Sequence, residues 1–224
     1  MQIASSRGAE CAGTPLLLVP VGALEQHGPH LPLGTDTTVA TTVAARTGHP
    51  VTPPIAFGAS GEHEGFAGTI SIGTETLAAV LVETGRSAQR WARRMLFVNG
   101  HGGNLPALVT AVTLLRAEGR DAAWFSCGTS GADAHAGRHE TSVMLALAPD
   151  AVREDLAEAG NTARLAELMP AIRAGSVASV SPNGVLGDPA GASAGEGAET
   201  VAVMVGMLRS AIPRWDVDEH GRLR

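Results

Sequence analysis

Leu16-Leu17-Leu18-Val19-Pro20-Val21-Gly22 is a short apolar run closed by turn residues, the pattern of a strand buried within a parallel sheet. Beyond its C-terminal end stand Glu25-Gln26-His27 and then Asp36, so ligand-type side chains emerge where the strand stops. Residues two apart on an extended chain share a face, which lets Glu25 and His27 look into one pocket while Gln26 points elsewhere. Asp36 opens a helical segment running from Thr37 to Ala45, where its carboxylate suits either an N-cap or a bridge between two cations.

Arg94-Met95-Leu96-Phe97-Val98 repeats the arrangement. It is followed by Asn99-Gly100-His101-Gly102-Gly103-Asn104 and by a helix expected from Leu105 to Arg116. His101 falls at the strand-to-helix crossover, the edge at which open α/β sheets bind ligands. Gly102 and Gly103 let the backbone come close to a ligand, and their amides, at the helix start, suit an oxyanion. Imidazole and carboxylate together are the ligands of Zn²⁺ and its first-row neighbours, and two such ions about 3.5–4 Å apart can share an attacking hydroxide. With a helix expected from Thr74 to Trp91 and a strand from Asp121 to Cys127, the β-α-β repeats predict an α/β fold: three αβα layers, a mostly parallel sheet with helices on both faces.

The chain has 224 residues, enough for a sizeable core, and reads as one domain spanning residues 1–224, with 1–14 and 213–224 peripheral. A net charge of −6 without a dense basic cluster argues against a nucleic-acid surface. Cys11 and Cys127 do not make a disulfide framework. No export signal and no membrane-length apolar segment appears, so the expectation is a cytoplasmic enzyme with no membrane partner. Tyr is absent and aromatic residues are scarce, so the core must come mainly from Ala, Val and Leu, with Trp124 inside it. The residues from Arg164 to Arg173 suit a short helix, and those from Glu199 to Ile212 a closing amphipathic one.

The stretch Val19 to Asp36, the cluster Asn99 to Asn104, and His135-Ala136-Gly137-Arg138-His139-Glu140-Thr141-Ser142 resemble the creatininase (creatinine amidohydrolase) family. Phe66-Ala67-Gly68-Thr69 and Gly187-Asp188-Pro189 extend the likeness from about Leu16 to the last helix. The resemblance implies a creatininase-like fold, two divalent metal ions per subunit (Zn, Fe or Mn), hydrolysis of non-ester C–N bonds, and a ring-shaped homo-oligomer, hexamer or octamer. Carried over by position, it implies that Glu25 and His101 bind one cation, that His27 binds the other, and that Asp36 bridges them. Creatinine-hydrolysing members have an acidic residue at the position of Gly103. Glu140 is the substitute expected here, because a cation held by His27 and Asp36 alone is underligated; its other reading is an acidic residue favouring the first helical turn. His135 is implied to lie at the scissile bond, orienting the carbonyl or protonating the departing nitrogen, roles that suit imidazole. Asp133 is a candidate to orient it, and Gly102, Gly103 and His63 are candidates for oxyanion or substrate contact. His30 is expected at the pocket rim or around the ligands, and Glu62-His63-Glu64 in a solvent-facing loop.

The wording of Gly58-Ala59-Ser60-Gly61-Glu62-His63, Ser71-Ile72-Gly73-Thr74-Glu75, Asp133-Ala134-His135-Ala136-Gly137 and Ser181 to Pro189 is similar to a subgroup that acts on a ribosomally made precursor peptide and releases its modified C-terminal Val-Tyr dipeptide. Residues 182–197, rich in Gly, Ala and Pro, are read as an ordered loop near the site. Two alternatives stand beside this one: a creatinine, cyclic-amide or formamide hydrolase of the same family, and an inactive structural or binding subunit.

Overall fold

The structure is a computed structural model and describes residues 1–129 and 131–224. In chain order the helices are α1 (Gly8–Cys11), α2 (Thr35–Ala45), α3 (Thr74–Ala88), α4 (Leu105–Ala117), α5 (Arg138–Leu147), α6 (Leu165–Ala174) and α7 (Ala194–Arg214). The strands are β1 (Leu16–Val21), β2 (Arg94–Asn99) and β3 (Ala122–Ser126), and among the described residues they form one parallel sheet in the order β1-β2-β3.

Alternation along the strands builds the layers. Leu17, Val19, Val21, Met95, Phe97 and Trp124 pack with Leu77 and Leu81 of α3 and Leu108 and Leu115 of α4. Their neighbours Leu16, Leu18, Leu96, Val98 and Phe125 meet Val39 and Val43 of α2, Val143 of α5, and Val201, Met204 and Leu208 of α7 on the opposite face. Period-2 side chains buried on both faces are what a sheet covered by helices requires, and the three-layer αβα expectation holds.

Several boundaries differ from those expected. Asp36 does not cap its helix: α2 begins at Thr35 with Gly34 as cap, and Asp36 is buried within the first turn. Helix α3 ends at Ala88, short of Trp91, and α7 starts at Ala194, capped by Ser193 Oγ accepting from the Glu196 N–H. The tail expected to be peripheral instead joins the sheet edge. Trp124 N–H donates to Gly221 O (2.9 Å) and Leu223 N–H to Trp124 O (2.8 Å), which buries Leu223. Cys11 and Cys127 are free thiols, and among the described residues no helix is long and apolar enough to cross a membrane.

Candidate metal centre

The ends of β1 and β2 open side by side, and the crossovers leaving them supply most of the site. Glu25 and His27 follow β1, Asp36 lies in the first turn of α2, His101 links β2 to α4, and Glu140 sits in the first turn of α5. These five converge. His101 Nδ1 is 3.1 Å from Glu25 Oε1 and 3.5 Å from Asp36 Oδ2. His27 Nε2 is 3.4 Å from Asp36 Oδ1 and 3.9 Å from Glu140 Oε2. The two oxygens of Asp36 thus face different imidazoles, as a bridging carboxylate must.

Glu25 Oε1 and Oε2, His27 Nε2 and Asp36 Oδ2 are buried and have no hydrogen-bond partner. An unmet buried polar atom costs roughly 1–3 kcal/mol, and more when charged, so four together need a ligand. Donor atoms around a tetrahedral zinc ion stand about 3.3 Å from one another, and the separations at Asp36 and Glu25 lie near that edge length. The donor set and its spacing fit divalent cations.

Charge tells the same story. Burial alone would raise Glu25, but the charges of His101 and His27 carry its carboxyl well below the usual range. Burial pulls His27 down, yet Asp36, Glu140 and Glu25 push it up to about 10. His101 is likewise raised despite burial, by Glu25, Glu62 and Asp36. Burial raises both Asp36 and Glu140. Without metal, protons on imidazole stand where cations would balance the carboxylates.

A second layer surrounds these residues. His135 is buried and burial holds its pKa well below the ordinary value, with His27 and His63 adding to the shift. Its Nε2 lies 2.8 Å from Gln26 O, and its Nδ1 3.9 Å from Glu25 Oε1. Glu140 Oε2 also accepts from Ala136 N–H (2.6 Å), two residues ahead of α5. Gly102 and Gly103 form the turn that leads into α4.

Two expectations are corrected. His63 is not solvent-facing: the 3-10 turn Gly61–His63 directs its ring inward, where Nε2 is 3.6 Å from Glu25 Oε1. A buried carboxylate attracts such a donor. Asp133 does not reach His135; its Oδ1 accepts from His139 N–H (3.3 Å), because unpaired amides at the start of a helix draw a carboxylate. Of the two places expected for His30, the interior one around the ligands is the one it takes: the side chain is buried, with Nε2 2.8 Å from Thr141 Oγ1. Gln26, set by its interval between Glu25 and His27, had no role assigned from sequence, and Glu62, expected with His63 in a solvent-facing loop, has its Oε1 3.4 Å from His101 Nε2.

A cavity of about 140 Å³ adjoins Asp36 and Glu140 and is walled by Gly100, Cys127, Thr129 and His139. A larger open groove of about 440 Å³, between residues 159–161 and 180–183, has no titratable side chain in its wall. The smaller cavity therefore meets the chemistry.

The family profile described as creatininase (creatinine amidohydrolase) matches residues 4–212. The chain is 56% identical over 219 residues to the mycofactocin precursor peptide peptidase of Mycolicibacterium smegmatis, covering 93% of this chain and 89% of that one. It is 51% identical over 237 residues to the protein of the same name from Mycobacterium tuberculosis, covering 99% and 94%. Among solved structures, a zinc-zinc form of a creatininase mutant superimposes with a TM-score of 0.77 at 28% identity, over 95% of this chain and 97% of that one.

Proposed function

This chain belongs to the creatininase (creatinine amidohydrolase) family, and on that premise we propose that it is a metal-dependent peptidase that releases the modified C-terminal Val-Tyr dipeptide of the mycofactocin precursor peptide. The observation that carries the reading is the set of unpartnered buried atoms on Glu25, His27 and Asp36, grouped around a carboxylate that faces two imidazoles. An inactive binding subunit has no use for so costly a cluster.

Glu25, His101 and Asp36 would hold one divalent cation, and His27, Asp36 and Glu140 the other. Bound there, such ions supply Lewis acidity to an amide carbonyl and lower the pKa of a water toward neutrality. His135 is neutral, and its Nδ1 faces the site. It accepts the proton of the attacking water and delivers it to the departing nitrogen, since a base that remains neutral until the reaction begins is free to do both. The amides of Gly102 and Gly103, in the 3-10 turn ahead of α4, are the donors for the developing oxyanion. A cytoplasmic homo-oligomer is the expected setting, and light scattering on the purified protein reads its subunit number.

The decisive experiment is mass spectrometry of the modified precursor peptide after incubation with metal-loaded protein, beside creatinine and a formylaminopyrimidine. Loss of the C-terminal dipeptide mass is the expected result. An intact peptide together with turnover of either small amide would assign the chain to the other branch of the family.

A further inference from the structure

Gln26 lies between two of the proposed ligands, yet its side chain ends among Gly28, Gly184, His63 and His135. Gly28 N–H donates to Gln26 Oε1 (2.9 Å). A backbone N–H can only donate, so the oxygen of the amide must lie on that side and its orientation is fixed. Gln26 Nε2 then donates to Gly184 O (3.1 Å) and to His63 Nδ1 (2.8 Å), which uses both of its hydrogens. Gly184 has φ 80°, and a β-carbon there would overlap the Gln26 amide. The missing side chain lets the loop clamp the amide in place.

The consequences fall on two imidazoles. His63 Nδ1 accepts, so it carries a lone pair and the ring proton sits on Nε2, the nitrogen 3.6 Å from Glu25 Oε1. His135 Nε2 is 2.8 Å from the carbonyl of Gln26, which can only accept; that nitrogen is protonated, and Nδ1 bears the lone pair. The 3.1 Å approach of Gln26 Nε2 to His135 Nε2 is then a contact between two donors whose hydrogens point elsewhere. The rings of His63 and His135 lie 4.5 Å apart, centroid to centroid.

We propose that Gln26 is a positioning residue that holds both imidazoles in the Nε2–H tautomer while they turn opposite edges toward Glu25, making His63 a neutral N–H donor there and His135 a lone-pair acceptor. Glu25, His63 and His135 bring ligand atoms within 4.8 Å of one another, but a protonated His63 Nε2 cannot ligate. This triple is therefore a hydrogen-bonding site for the reacting amide and not a third cation site. The catalytic consequence rests on the amide-hydrolase reading above; the tautomers do not.

The test is nuclear magnetic resonance of the zinc-loaded protein carrying ring-nitrogen-labelled histidine, with His63→Gln and His135→Gln variants to assign signals. The expected pattern is a pyridine-like Nδ1 and a pyrrole-like Nε2 on His63, and a pyrrole-like Nε2 on His135. A pyrrole-like Nδ1 on His63 would overturn the proposal. Gln26→Glu gives a second arm, since a carboxylate has no hydrogen for His63 Nδ1 or Gly184 O. It should invert the His63 tautomer, keep the metal content, and lower kcat about 10²-fold with a smaller change in KM. A kcat within about twofold of the parent at full metal content would count against it. Correct tautomers in a protein that cleaves no amide would defeat the functional reading alone, and efficient cleavage with His63 in the other tautomer would defeat this inference alone.

Discussion

Glu62 Oε1 stands 3.4 Å from His101 Nε2, while His101 Nδ1 faces Glu25 and Asp36 across the ring. A carboxylate on the remote nitrogen of a ligand imidazole fixes its orientation and strengthens its basicity. The approach is possible because position 103 is glycine. A β-carbon there would overlap His101 Nε2, Ala59 O and Glu62 Oε1.

Gly103→Ala should therefore displace either Glu62 or His101. The expected cost is roughly 1–3 kcal/mol of stability from overpacking, together with weaker retention of the cation held by Glu25 and His101. Thermal melts and elemental analysis after dialysis against a mild chelator read both effects. Parent-like values for both would show that the pocket yields without strain.

Asp36→Ala removes the carboxylate that faces His27 with one oxygen and His101 with the other. Loss of a shared ligand weakens both sites at once, so both cations and all turnover should go together. One cation retained in the purified variant, or measurable turnover, would contradict the bridging role.

His135→Ala should separate rate from binding. The ring makes its hydrogen bond to Gln26 O and is not among the proposed ligands, so metal content should match the parent. Turnover should fall by about 10²–10⁴-fold, the usual contribution of a positioned acid-base group. A deficit in metal of the same proportion as the loss of rate would instead make His135 a ligand.

The layers and the primary site were legible because each depends on local order. Leu16 to Val21 and Arg94 to Val98 announce buried strands, Glu25, His27 and His101 follow the strand ends within a few residues, and Asp36 stands at the start of the next helix. The inward turn of His63 was hidden, because it depends on Glu25 far along the chain. The clamp on Gln26 was hidden for the same reason, since Gly184 is 158 residues away. Leu223 was missed because Arg222 and Arg224 flank it with charge, while the edge of β3 needs backbone partners that any residue can supply. Asp133 looked like a partner for His135 by proximity in sequence, and the start of α5 claimed it.

The metal-free centre should lose stability in alkali more than the loaded one. His27, ordinarily near 6.5, is held up to about 10 in the folded chain: burial lowers it, and Asp36, Glu140 and Glu25 more than compensate. Between those two values the folded metal-free protein keeps a proton that the unfolded chain has released. Its stabilising contribution is fullest below about pH 6.5 and is lost as pH rises through about 10. His101, also raised, adds to the same trend. A cation needs the imidazole lone pair, so loading expels these protons and affinity should climb with pH over the same window. Calorimetric zinc titrations in buffers of different ionisation enthalpy should show proton release near neutrality. The melting temperature of the metal-free protein should fall from about pH 7 to about pH 9.5, and that of the loaded protein should change less. Zinc uptake without proton release would mean that His27 and His101 are already neutral in the metal-free protein and that the buried carboxylates carry no protons for zinc to displace.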